Sequence, residues 1–165
     1  MNLGQMLMAA GGLILLSTIF LSVNRTFANS SNVLISTKLD VLAVSLGASF
    51  IEDASSKSFD THTVGNAVDD LDSLTLPASL GPGAGETYPH FDDFDDFDGL
   101  SIQDSTTIPG MLFNVDCKVE YVNENDPEIV STTVTWHKKI TVKISSPAMI
   151  DTVTLSNVHS YFYFR

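Results

Sequence analysis

Residues 91–99 read Phe-Asp-Asp-Phe-Asp-Asp-Phe-Asp-Gly, near-copies of one Phe-Asp-Asp unit that set Asp92, Asp93, Asp95, Asp96 and Asp98 almost side by side. Carboxylates at this density repel one another unless water, salt or a bound cation screens them. Hard oxygen donors on an irregular loop suit calcium, which accepts several oxygens in flexible geometry. The EF-hand template does not fit, because counting back from Gly99 puts its first ligand position on Phe94 and its last on Ser105. Two readings stand: a calcium loop built from the five Asp residues, and a solvated acidic surface loop pinned by Phe91, Phe94 and Phe97.

Other reactive side chains form no catalytic pattern. His62, His90, His137 and His159 are scattered, with no HxH or HExxH spacing. No GxSxG or SxxK string occurs, and the Gly-Pro-Gly-Ala-Gly run at 81–85 lies outside a strand-to-helix context, so it reads as a turn. The single cysteine, Cys117, excludes an intrachain disulfide and a thiolate zinc cage; it keeps step with Phe113, Val115 and Val119 and is expected to be a buried core thiol. The chain is expected not to be an enzyme.

The elements that carry these residues follow from charge and periodicity. The 165 residues hold 20 acids against 8 Lys and Arg, a net charge of −12 with a mean hydropathy of +0.17. Eleven of the acids, and no Lys or Arg, fall in residues 60–110, while the flanking thirds are near neutral. Nucleic acid is excluded as a partner, since phosphate binding needs concentrated Lys and Arg.

Residues 1–23 carry no charged side chain, and about 20 such residues at 1.5 Å rise cross a hydrocarbon core. No proline precedes Pro77, and Ile35, Leu39, Leu42, Leu46 and Phe50 continue at helical spacing. One helix is therefore expected over residues 1–56, with 1–23 as a transmembrane or filament-core half and the later stripe packing on a sheet. A cleaved signal peptide fits poorly, because no Lys or Arg precedes the apolar run. Gly11-Gly12 reads as ordinary membrane-helix glycine, a point of close helix approach, or a local unwinding point. Residues 57–110 form an acidic connecting region.

Residues 111–165 form the β-domain. Met111–Val122 alternates in period two, Ile129–Ser145 is rich in β-branched residues with Val134, Trp136, Lys138, Ile140, Val142 and Ile144 on one face, and Ile150–Phe164 makes a third strand. The fold class is α+β: a long N-terminal helix on a three- to four-stranded antiparallel sheet.

This succession, an apolar helix running into an amphipathic half, then a polar loop, then an antiparallel sheet, resembles the type IV pilin and pseudopilin superfamily over the whole chain. The resemblance implies a helical filament whose core is the bundled N-terminal helices, here Met1, Gln5, Leu13, Leu15, Leu16, Ile19 and Phe20. It also implies an inner-membrane stage before assembly, a pilus or secretion assembly machinery as partner, and an extracellular fibre or periplasmic pseudopilus as destination. Members of that family carry Glu at the fifth mature position and a proline near position 22; Gln5 and Ser22 stand there in this sequence. Several pseudopilins hold calcium in a loop before the sheet, a place comparable to Asp92–Asp98. The competing function is a monomeric, membrane-tethered β-domain that binds calcium or an envelope ligand. The sequons at Asn24 and Asn29 lie on the helix, where a glycan would hinder bundling, so neither is expected to be used.

Overall fold

The computed structural model describes residues 2–106 and 110–164. The chain divides into two compact units, Met1–Leu39 and Asp40–Arg165. The fold is α+β, as expected. Helix α1 (Leu3–Ser55) is followed by single 3-10 turns at Thr61–Thr63, Leu71–Ser73, Pro77–Ser79 and Asp95–Phe97, and then by strands β1 (Ser101–Asp104), β2 (Phe113–Tyr121), β3 (His137–Ser145) and β4 (Val153–Ser160).

The first unit is helix throughout its described length beyond Asn2. Its hydrogen-bonded ladder runs unbroken through Gly11-Gly12 and Ser22, so no unwinding occurs at either place. Leu13, Leu15, Leu16, Ile19 and Phe20 are each more than 60% exposed. The hydroxyls among them turn back onto the helix: Ser17 Oγ donates to Leu13 O at 2.8 Å, Thr18 Oγ1 to Leu15 O at 2.8 Å, and Thr26 Oγ1 to Ser22 O at 3.0 Å. Hydroxyls satisfied by the helix's own carbonyls ask nothing of their surroundings but apolar contact. It is long and apolar enough to cross a membrane.

In the second unit, residues 40–55 of α1 lie on the sheet. The buried positions are Ala43, Leu46, Gly47, Phe50 and Ala54, with Leu42 half-buried. Of the stripe expected from periodicity, Leu39, Leu46 and Phe50 are buried, whereas Ile35 is 56% exposed. The inward face is thus built from small residues as much as from large ones. A β-carbon on Gly47 would stand 2.8 Å from both Ile144 Cδ1 and Leu155 Cδ1, so the helix backbone approaches β3 and β4 at van der Waals distance.

The sheet is an antiparallel meander in the order β1-β2-β3-β4. Val119 pairs with Ile140 and Tyr121 with Lys138 across β2 and β3, and Ile144 pairs with Val153 across β3 and β4. Phe113, Val115, Cys117, Val119 and Tyr121 of β2 face inward with Lys138, Ile140, Val142 and Ile144 of β3, so the period-two reading is borne out and Cys117 is a core thiol. Burial pushes that thiol up to about 12.

Two strands are shorter than expected. Residues 129–136 leave the sheet apart from one bridge, Val122 to Val130, because the Ser131-Thr132-Thr133 run ties its backbone locally: Ser131 Oγ donates to Thr133 O at 2.7 Å. Trp136 instead stacks on Tyr161 at 5.2 Å. After Ser160 the chain coils into a 3-10 turn, Tyr161–Phe164.

Candidate functional site: a buried acid–lysine cluster

The acidic run is folded inward. Asp93, Asp95 and Asp96 are wholly buried, as are Phe94 and Phe97, and Asp60 and Lys138 join them. The expectation of a solvated surface loop is corrected: only Asp92 of the five is exposed, and Asp98 is half-buried. Phe91, Phe94 and Phe97 all drive into the core, the last from a single 3-10 turn, Asp95–Phe97, that begins at Phe94. Phe91 packs on Phe97 at 5.1 Å, and Phe94 stacks on the buried His159 at 4.8 Å. Burial lowers the basicity of that histidine, so it packs as a neutral ring.

The buried carboxylates have definite work. Asp93 Oδ1 accepts the amides of Asp95 and Asp96 at 2.9 and 3.2 Å, and its Oδ2 accepts from Thr61 Oγ1 at 2.6 Å. Asp96 Oδ2 accepts the amides of Asp92 and Asp93 at 3.1 and 3.3 Å. Asp98 Oδ1 accepts from the amide of Val119 at 2.9 Å, holding the loop to β2. Main-chain bonds between Phe94 N and Ser58 O, and between Ser58 N and Asp92 O, tie it to the segment just after α1.

At the centre stands Lys138, whose three ammonium hydrogens are all engaged. Nζ lies 2.7 Å from Asp95 Oδ1, 2.8 Å from Asp60 Oδ2 and 2.9 Å from Phe59 O. The rings of Phe59 and Tyr121 close over it at 4.6 and 5.1 Å. Asp60 is fully satisfied, accepting also from His62 N, Thr75 N and Thr75 Oγ1, with Tyr121 OH 3.3 Å away. Asp95 is not: its Oδ2 has no hydrogen-bond partner among the described residues.

This inequality sets the protonation. Burial disfavours ionised Asp60, but the charge and hydrogen bond of Lys138 and the surrounding amides outweigh it and hold the carboxyl at about 2. Burial dominates at Asp95, Lys138 offsets only part of it, Asp93 adds repulsion, and the carboxyl rises to about 8. Asp96 rises to about 6 by burial and by the charge of Asp93. One lysine between two acids therefore favours the ionised form of Asp60 and pushes Asp95 toward its neutral acid form.

The five Asp residues expected as calcium ligands do not converge on one point. Asp93, Asp95 and Asp98 are spent on protein partners as described, whereas Asp92 and Asp96 meet a third acid, Glu86. Each of these three offers a carboxylate oxygen within 4.8 Å of the others. Glu86 is held by the tight turn at Gly83, whose amide donates to Glu86 Oε2 at 2.7 Å. Asp96 Oδ1 is buried with no hydrogen-bond partner among the described residues. Converging carboxylates and an orphaned buried oxygen are what a hard divalent cation satisfies, so the donor set Glu86, Asp92 and Asp96 fits calcium.

Sequence reasoning missed Glu86, Asp60 and the role of Lys138. The one available signal was Lys138 itself, a cation in register with Ile140, Val142 and Ile144 on the inward face of a strand. Of the expected assembly residues, Leu13, Leu15, Leu16, Ile19 and Phe20 share the exposed apolar segment, Gln5 is exposed with its Oε1 3.4 Å from Asn2 N, and Met1 lies outside the described residues. No protein-family model, curated protein or solved structure matches the chain, and its function is therefore argued from its own geometry.

Proposed function

We propose that this chain is the structural subunit of a pilin-like helical filament, polymerising through the apolar half of α1. One observation carries the reading: a helical surface over residues 6–23, uncharged and almost wholly apolar, is exposed along its length. Water does not tolerate such a surface, since burial of apolar area is worth roughly 2.5 kcal/mol per 100 Å². Lipid covers it before assembly; copies of the same helix cover it afterwards. Gly4, Gly11 and Gly12 support the bundle, because a residue without a side chain lets a neighbouring helix backbone approach closely. A heterologous contact whose rotation does not close yields a fibre.

The β-domain forms the outside of that fibre, with Glu86, Asp92 and Asp96 holding calcium beside the helix-to-sheet junction. Shearing of cells followed by negative-stain microscopy and mass spectrometry tests the reading. Filaments containing this chain support it. Recovery solely as a detergent-extracted monomer overturns it in favour of the membrane-tethered domain.

A further inference from the structure

We propose that the cleft between the end of α1, the loop around Gly65 and the end of β4 binds a neutral sugar.

Segments distant in sequence enclose this cleft, and each is tied in place. Its volume, 550 Å³, falls among those of small-molecule sites, about 300–1,000 Å³. Residues 55–58 form one wall. Asn157 Nδ2 of β4 donates to Ser55 Oγ at 3.4 Å, and the main-chain bonds of Ser58 hold the same wall to the acidic loop. Thr63, Gly65, Asn66 and Ala67 form the other wall, turned by Gly65 at φ +77°. Thr63 Oγ1 donates to Asp60 O at 2.7 Å and fixes the start of that wall; Val68 N donates to Tyr161 OH at 2.7 Å and fixes its end. Phe59, His159 and Tyr161 make an aromatic floor, with Phe59 5.9 Å from His159 and 5.6 Å from Tyr161. Walls fixed by separate long-range bonds exist before a ligand arrives, so little ordering is left to do on binding.

The lining selects the chemistry of the occupant. None of the 20 acids of the chain lines the cleft, and its one cation, Lys57, is already answered by Asp53 at 3.5 Å, with Asp92 near enough to feel its charge. An anion would meet the negative end of α1 with no spare positive charge, and a cation would find no carboxylate on the walls. The carbonyls of Ser55, Ser56 and Lys57 accept no hydrogen bond from the described residues, and the Ser58 hydroxyl and Asn66 carboxamide have no partner among them. Carbonyls ask for donors, whereas a hydroxyl and a carboxamide both give and take. A pyranose supplies hydroxyls around its rim for these groups and a face of C–H bonds for the aromatic floor. A wholly apolar occupant would strip water from the carbonyls and leave them unpaired.

The proposal stands apart from the filament reading. Saturation-transfer NMR on the full chain, in a zwitterionic detergent without sugar headgroups, is expected to show transfer to at least one of lactose, cellobiose and chitobiose at about 10 mM, strongest at ring C–H protons. Ala67→Trp fills the cleft from an exposed position and is expected to abolish the transfer while the chain melts as the wild type does. Asn66→Ala removes an exposed carboxamide and is expected to weaken binding about tenfold, the scale of one hydrogen bond. No transfer to any of the three sugars overturns the proposal, as does undiminished transfer in either folded variant. Glucuronic acid bound more tightly than the three overturns the assignment to a neutral ligand.

Discussion

Gly47 faces Ile144 so closely that a β-carbon on the glycine would stand 2.8 Å from Ile144 Cδ1. The atoms in the way, Ile144 Cδ1 and Leu155 Cδ1, are the ends of side chains and can swing by a few tenths of an ångström. Gly47→Ala is therefore expected to leave stability within about 1 kcal/mol of wild type, the gain in helix propensity offsetting the crowding. Gly47→Leu cannot be accommodated that way and is expected to cost about 2–3 kcal/mol. Urea melts of the two variants check the pair.

Phe94 is wholly buried and stacked on His159 at 4.8 Å. Phe94→Ala is expected to destabilise by about 3–5 kcal/mol, within the range for buried aromatic truncations. Because it also unseats Asp93 and Asp95, heat-induced unfolding should begin at lower temperature and lose cooperativity.

Glu86, Asp92 and Asp96 predict a calcium response. Saturating calcium at about 100 times its dissociation constant should stabilise the folded chain by about 2.7 kcal/mol. Chelator should remove that gain, and Asp92→Asn together with Asp96→Asn should abolish it. An equal gain in the double variant would sink the site. Gly83→Ala is expected to weaken the response without replacing a ligand, since its new methyl would displace Glu86 Oε2, which would stand 2.8 Å from it.

Asp96 also predicts a pH dependence. Its folded carboxyl stands at about 6, above the ordinary value. A raised carboxyl contributes stability that is complete below pH about 4 and lost as pH climbs through 6. In chelator, the melting temperature is expected to fall by a few degrees between pH 4 and 7. Asp96→Asn keeps an oxygen for the amides of Asp92 and Asp93 and should remove Asp96's share of that fall, leaving the share of Asp95, whose carboxyl is also raised. Calcium should do the same in the wild type, because the cation favours the ionised form.

Leu13→Asp places a charge near the middle of the exposed apolar run, where insertion scales put the cost at about 3 kcal/mol. Reduced membrane recovery and absent fibres are the expected outcome, with the melting of the β-domain unchanged.

Much of the architecture was legible because it rests on periodicity. The absence of charge over residues 1–23 and of proline before Pro77 sets a continuous helix, and alternation in 113–121 and 137–145 sets two strands and their inward faces. The helix face was legible only through its large residues. Ala43, Gly47 and Ala54 carry no hydrophobic signal of their own, yet they decide how close helix and sheet come. The acidic run was misread because carboxylates are ordinarily solvated, and what reverses that here is a partner far off in sequence: Lys138 meets Asp60 across 78 residues and Asp95 across 43. No local pattern encodes such a pairing. Glu86 was invisible for the same reason, since only the folded turn at Gly83 carries it to Asp92 and Asp96.

With the carboxyls of Asp95 and Asp96 raised above the ordinary value by burial, the formal charge of −12 overstates what an electric field encounters. The native chain should migrate in isoelectric focusing at a higher pH than the same chain in urea. Copies brought side by side then meet a weaker mutual repulsion than composition suggests, and lateral contact does not wait on high ionic strength.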